Sequence, residues 1–227
     1  PVSDEYSGQD YFFNEKHFNE NNKVSSPIRI IGDNEETLTS KHNKYSIVGD
    51  LCPSLKEAIR VFVLNICIRM VRGDVNEHNT MLVNMTHLNI LQGQLTEKIT
   101  DYVDEIINAI DANHSLGYTK SLSSSHLKDL KETFDKCLNI DESYKKVFRF
   151  LPKAANKIKV YGINNESAQA LDYSPYRDVG LAAIVIGGHK LSRGLTLEGL
   201  SVSYFARNSK MYDTLLQMCR WFGYRPR

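Results

Sequence analysis

Two segments near the end of this 227-residue chain hold the residue types best suited to chemistry. In the first, GGHKLSRGLT directly follows a continuous apolar run, LAAIVI. Glycine lets the backbone approach a ligand closely, and basic side chains, hydroxyls and backbone N–H groups all bind phosphate oxygens. A tight turn that is merely basic is the alternative. The candidate phosphate-binding residues here are Gly187, Gly188, His189, Lys190, Ser192 and Arg193.

The second segment is a predicted helix over residues 212–222, which is apolar apart from one polar stripe. Asp213, Gln217 and Arg220 follow one another at i, i+4 and i+7, so they share a helix face. A polar stripe on a buried helix is costly unless its groups are paired or line a cleft. Two interpretations remain open: an internal ion pair between Arg220 and Asp213, or a guanidinium directed at a bound phosphate.

The elements that must position these residues alternate along the chain. An S-x-x-E capping box at Ser54 and Glu57 begins a buried helix that ends before Gly73. Apolar runs predict strands over residues 80–86, 158–163, 181–186 and 201–205, and helical periodicity covers residues 92–110 and much of 111–152. This alternation predicts an α/β fold: a parallel sheet with helices on both faces.

Ligands of an open parallel sheet bind beyond the carboxyl ends of its strands. The run after the third strand, which contains Lys190, therefore lies at the predicted binding edge. Thr86 and Asn164, at the ends of the first and second strands, would face the same edge, where they are weaker candidates for DNA contact. For both residues, capping of the next helix is the alternative.

Taken together, the two segments resemble motifs V and VI of superfamily two helicases. The longer run GGHKLSRGLTLEGLSVSYFARNSKMYDTLLQMCRWFGYRPR resembles the signature of the Z1 domain, to which an endonuclease function is ascribed in bacterial helicase-like proteins. SLKEAIRVFVLNICIRMVRG and HNTMLVN fit the same family upstream, so the resemblance covers about residues 53–227. It implies a RecA-like (P-loop NTPase-type) second motor domain with an arginine finger.

Site roles follow from the resemblance position by position. Arg193 and Gly194 match the Arg-Gly of motif V. Two departures are visible, because Cys219 replaces a usual glycine and Thr196 stands where many helicases have a ribose-contacting aspartate. The resemblance implies catalytic roles for Arg220, Gln217 and Arg225, and nucleotide-binding roles for Arg193, Gly194, Thr196 and Asp213.

Composition limits the function further. Lys and Arg number 28 against 27 Asp and Glu, yet from Gly187 onward seven basic residues face two acidic ones, which suggests a phosphate-bearing partner. No apolar run reaches the roughly 20 residues of a membrane span, and four dispersed cysteines favour a reducing cytoplasm. No histidine or cysteine spacing indicates a metal site. The tripeptide Asp129-Leu130-Lys131 has a nuclease-like D-x-K sequence but lies in a helical segment.

The chain contains no G-x-x-x-x-G-K-[ST] P-loop, so we expect ATP and Mg²⁺ to bind only together with an upstream P-loop ATPase domain. Pro1 is not a start methionine and the sequence stops two residues after Arg225, so we expect a piece of a longer protein that is truncated at its C-terminus. Residues 1–50, rich in Asn, Ser, Lys and Glu with a cluster of aromatics, are interpreted as a linker or arm, and a short strand is suggested at residues 28–31. Residues 51–227 then form the RecA-like domain, with a helical insertion at about 111–157.

The sequence therefore predicts the C-terminal half of a DNA-dependent ATPase motor in a bacterial restriction or defence system. Its expected partners are DNA, the P-loop domain and nuclease or methyltransferase subunits. Two alternatives stay open. One is a non-catalytic module that docks a partner nuclease or methylase, and the other is a metal-dependent endonuclease domain.

Overall fold

The computed structural model describes residues 29–138, 140–163, 171–187 and 196–206. Within them the chain is an α/β protein with one four-stranded, all-parallel sheet in the order β2-β3-β1-β4. The four strand predictions are confirmed to within two residues at each end. The helix predicted over residues 212–222 lies outside the described residues. The strands are β1 (Asn79–Asn84), β2 (Ile158–Ile163), β3 (Ala182–Gly187) and β4 (Leu200–Phe205).

Six α-helices accompany this sheet in the described residues. They are α1 (Pro53–Val71), α2 (Asn89–Asn113), α3 (Tyr118–Ser121), α4 (Ser125–Cys137), α5 (Tyr144–Phe148) and α6 (Leu151–Ala155). Short 3-10 turns occur at Asn34–Glu36, His114–Leu116 and Ser174–Tyr176. The predicted helical character of residues 111–152 is confirmed, although the segment divides into short helices rather than one long one.

Helix α1 is the centre of the packing. It contacts β1 and β4 on one side and α4, α5 and α6 on the other, which confirms the prediction of a helix buried between layers. Phe62 and Ile66 at its middle are completely buried. Gly73, with φ +103°, follows its end, and the N–H of Asp74 returns to the carbonyl of Arg69 at 2.9 Å. The predicted glycine stop is therefore confirmed.

The capping box predicted at the start of α1 is wrong. Cys52 is the N-cap residue, and no side-chain cap comes from within the helix. Instead the backbone N–H of Ser54 donates to Asp33 Oδ2 at 2.8 Å, and Glu57 pairs with Arg29 and Lys136. A carboxylate from another segment thus supplies the acceptor that the local sequence was expected to provide.

The two faces of the sheet are covered differently. Met81 of β1 and Ile184 and Ile186 of β3 pack into the cluster that contains the helices. Leu82 and Val185, which alternate with them, pack on the other face against residues of 171–181 and 196–200. In the described part of the chain, that second cluster contains no α-helical residue. Among the described residues, the prediction of helices on both faces is therefore confirmed for one face of the sheet and not for the other.

The described part of the predicted arm packs on the domain. Leu38 and Val48 are buried in the main apolar cluster. Residues 29–31 form no strand, so the short strand suggested at residues 28–31 is wrong for the positions that the structure describes. Among the described residues, no helix is long and apolar enough to cross a membrane.

Candidate functional site

The carboxyl edge of the sheet is where the candidate residues were expected to meet. Because all strands are parallel, β1, β2, β3 and β4 end at this edge, at Asn84, Ile163, Gly187 and Phe205. The connection from β1 crosses β3 to reach β2 at one side of the sheet. The connection from β3 crosses β1 to reach β4 at the other side. The central neighbours β1 and β3 therefore flank a topological switch point, the usual position of a ligand crevice in such sheets.

Gly187 is the residue that links the basic segment to this point. It is buried, ends β3 and pairs in register with Ile163 of β2. The segment that begins with two glycines therefore starts at the carboxyl end of a central strand. Its other predicted phosphate-binding or nucleotide-binding residues lie outside the described residues. These are Gly188, His189, Lys190, Ser192, Arg193 and Gly194.

The chain leaves the same edge again after β4. The N–H of Ala206 donates to the carbonyl of Asn84 at 3.1 Å, which continues the pairing of β4 with β1 beyond Phe205. The route towards the predicted arginine-bearing helix therefore begins beside the switch point. The helix residues themselves, and the candidate after β2, lie outside the described residues: Asp213, Gln217, Arg220, Arg225 and Asn164.

Thr86, just beyond β1, is described and buried. Its hydroxyl accepts from the N–H of Leu88 at 3.1 Å, at the start of α2. The hydroxyl lies 2.9 Å from His42 Nε2, and Gln92 Nε2 donates to the Thr86 carbonyl at 3.0 Å. These contacts match the alternative in which a polar residue caps the next helix, since the hydroxyl and the carbonyl of Thr86 both have partners within the protein.

His42 fixes a loop of the arm to this edge. Its Nδ1 lies 2.7 Å from the carbonyl oxygen of Thr39, which can only accept, so Nδ1 carries the proton. In the neutral ring, Nε2 is then the acceptor for the Thr86 hydroxyl. No pattern in the sequence indicates this pair, because a single histidine 44 positions from a threonine forms no recognisable motif.

Tyr204 of β4 connects the same edge to the start of α1. Its Oη lies 2.8 Å from Ser54 Oγ and 3.3 Å from Cys52 Sγ. Burial raises the pKa of Tyr204, so the phenol stays neutral. Burial alone would also raise the pKa of Asp33, but hydrogen bonds from Ser54 outweigh it and hold that pKa below its ordinary value. Sequence analysis missed this cluster, since Cys52 and Tyr204 lie 152 positions apart.

Thr196 lies elsewhere. It is exposed and lines a polar pocket of about 210 Å³ together with His78 and Glu198, which precede β1 and β4. Asp172 and Arg177 line the same pocket. The pocket is therefore at the amino edge, and the structure separates Thr196 from Gly187 by the length of the sheet.

The D-x-K tripeptide is on α4, as the helical pattern predicted. The Asp129 carboxylate lies 3.7 Å from Arg60, and Lys131 pairs with Asp135 one turn further along. Within the ranges that the structure describes, no group of three or more His, Cys, Asp or Glu side chains could hold a metal ion. The tripeptide thus takes part in ion pairs on a helix surface.

The comparisons with known proteins add one finding. A family model described as the Z1 domain matches residues 54–227, about three quarters of the chain. No curated protein and no solved structure matches the chain. The matched region includes the whole sheet and α2–α6, and it leaves out the segment that supplies Asp33 and His42.

Proposed function

The chain belongs to the Z1 domain family, and from this premise we propose that it is the second, C-terminal RecA-like half of a DNA-dependent ATPase motor. The motor would be helicase-like and would serve a bacterial restriction or defence endonuclease system. The first half would be a P-loop domain of the same protein, and that domain would bind ATP and Mg²⁺.

One observation supports this proposal more than any other. β3 is a buried central strand that ends in Gly187 beside the topological switch point, and the Gly-Gly-His-Lys-Leu-Ser-Arg-Gly run follows directly. A glycine-rich, basic segment that starts at such a point is well suited to a phosphate group. We propose that Lys190 and Arg193 hold a phosphate of the DNA backbone, together with backbone N–H groups of the segment.

The second part of the proposal concerns Arg220. An arginine that reaches the γ-phosphate from a neighbouring domain stabilises the charge of the transition state, an effect on the order of 10³-fold or more. Gln217, one turn before it, would orient the attacking water. The strand that precedes this helix, β4, pairs with β1, one of the two strands that flank the switch point, which supports a common site for the two segments.

The test is ATP turnover by the intact protein, with and without DNA, for the wild type and for Arg220→Ala. We expect DNA-stimulated turnover to fall at least about 100-fold while ATP binding is retained, because only a transition-state contact is lost. Arg149→Ala is the matched control, since Arg149 is an exposed arginine between α5 and α6. It should leave turnover unchanged.

Two outcomes would contradict the motor. Turnover that Arg220→Ala does not change would favour a docking module for a partner nuclease or methylase. DNA cleavage that requires a divalent cation and survives Arg220→Ala would favour an endonuclease domain.

A further inference from the structure

An exposed apolar and aromatic surface lies at the carboxyl edge, on a loop that precedes α1. Tyr45 and Ile47 are 81% and 82% exposed, and Ile90, at the start of α2, is 60% exposed. The two segments are neighbours, because the N–H of Val48 donates to the side chain of Gln94, one turn after Ile90, at 2.9 Å. Isolated exposed hydrophobic residues are ordinary, whereas a group of them indicates a contact surface.

The loop that carries Tyr45 is held by hydrogen bonds within itself. The N–H of Tyr45 donates to Asn43 Oδ1 at 2.9 Å, and the N–H of Asn43 donates to Ser46 Oγ at 2.9 Å. His42 joins the loop to Thr86 at the end of β1. The tyrosine is thus exposed on an ordered backbone, which lowers the entropy that binding would cost.

The charge around this ring is positive. Lys44 Nζ lies 4.9 Å from the centre of the Tyr45 ring, and Lys41 is exposed three residues before Lys44. Residues 39–48 contain no acidic side chain. Asp50, the next acidic residue, is paired with Lys98 at 3.3 Å. An exposed ring between lysines complements a chain of bases and phosphates. Lysine is depleted in protein–protein contacts, so a protein partner is less well matched.

We propose that residues 41–47 form a stacking platform for single-stranded DNA. The ring of Tyr45 stacks on a base, Ile47 and Ile90 contact the next base, and Lys41 and Lys44 neutralise phosphates. This inference rests on the DNA binding that the proposed function includes, and it adds a site that the basic segment after β3 does not provide. The platform precedes residue 54, where the family match begins.

The first test measures the affinity of the intact protein for a fluorescently labelled dT15 strand. Loss of one stacked base weakens binding by about 5- to 100-fold, so we expect that range for Tyr45→Ala. Tyr45→Phe keeps the ring and should bind as the wild type does. Tyr176→Ala is the control, because Lys159 lies 4.8 Å from the Tyr176 ring, yet this tyrosine is next to the amino-edge pocket. It should not change the affinity.

The second test separates stacking from charge. Each phosphate contact to a single strand contributes about 0.7 to the slope of log K against log salt concentration. We therefore expect Lys44→Ala to reduce that slope by about 0.7, and Tyr45→Ala to weaken binding with the slope unchanged.

The outcomes distinguish the platform from the motor. If Tyr45→Ala binds dT15 as tightly as the wild type while DNA still stimulates ATP turnover, the platform is refuted and the motor stands. If Tyr45→Ala weakens binding but turnover does not respond to DNA, the platform stands and the motor fails. If the wild-type protein does not bind dT15, the platform is refuted. If, in addition, duplex DNA does not stimulate ATP turnover, the motor is refuted too. If Ile47→Ser and Ile90→Ser alter self-association but not DNA affinity, the surface contacts protein and the platform is refuted.

Discussion

The two edges of the sheet differ in how their loops are held. At the amino edge, backbone segments are in such close contact that only glycine fits: Gly199 has φ +63° and a Cβ there would collide with the carbonyl oxygen of His78. Arg69 donates to the carbonyl of His78 and to the side chain of Asn79. At the carboxyl edge, Tyr45 and its neighbours point into solvent. One edge is therefore closed by backbone contacts and hydrogen bonds, whereas the other exposes aromatic and apolar side chains to solvent.

The largest effect is expected at Gly199. Gly199→Ala combines an unfavourable positive φ with a backbone collision, so we expect a loss of about 2–4 kcal/mol in the free energy of unfolding. Urea denaturation measures it. Gly93→Ala is the opposite case, because a Cβ at this α2 position meets nothing and should stabilise the protein by about 0.5–1 kcal/mol. Equal effects of the two substitutions would contradict the description of a tightly closed amino edge.

A smaller loss in the free energy of unfolding is expected for substitution of His78, which is also at the amino edge. Its Nδ1 accepts from the N–H of Leu181 at 3.0 Å, which ties the start of β3 to the start of β1. His78→Ala leaves that N–H without its partner, at a cost of about 1–3 kcal/mol. His78→Asn offers an acceptor near the same position and should recover much of the loss. Thermal unfolding of the two variants is the measurement, and an equal loss in both would argue against the hydrogen bond as the cause.

At the carboxyl edge, we expect Asp33→Ala to lower the free energy of unfolding by about 1 kcal/mol, because α1 loses the acceptor for the N–H of Ser54. The pKa of Asp33 is lowered in the folded state, so this stabilisation is present above the unfolded pKa of about 3.9. It is lost as the pH falls through the folded pKa. The stability difference between wild type and Asp33→Ala should therefore shrink in acid, whereas the difference between Asp33→Asn and Asp33→Ala should not change with pH, because neither side chain titrates.

The smallest effect on stability is expected at Tyr45. Its side chain is 81% exposed, so Tyr45→Ala should change the free energy of unfolding by less than about 0.5 kcal/mol. The same variant is expected to weaken DNA binding, so the two measurements together distinguish a binding residue from a packing residue. A large loss of stability would show that the ring is a packing residue.

Much of the fold could be predicted because its signals are local. A continuous apolar run such as LAAIVI indicates a strand buried on both faces, and Gly73 marks a helix end by its own conformational freedom. The alternation of strands and helices was enough to predict a parallel sheet. The order β2-β3-β1-β4 was not predicted, since it depends on pairings between residues about 100 positions apart.

The site was less predictable, for a related reason. The capping of α1 by Asp33 and the pairing of His42 with Thr86 join residues more than 20 positions apart, so no spacing rule detects them. The basic segment was found because its residue types are adjacent in sequence, and Gly187 at its start does lie at the expected edge. The arm was interpreted as a linker from its polar composition, which does not reveal that Leu38 and Val48 are buried.

The central position of β1 has a consequence for synthesis of the protein. Asn79 pairs with Ala182, so the partners of β1 leave the ribosome about 100 residues after it. Translation proceeds at about 5–20 residues per second, so both edges of β1 remain unpaired for roughly 5–20 s. An unpaired apolar strand invites aggregation, and α1 and α2, which flank it in the chain, are made before β3. We expect these helices, or a chaperone, to protect β1 of the nascent chain from aggregation until β3 leaves the ribosome.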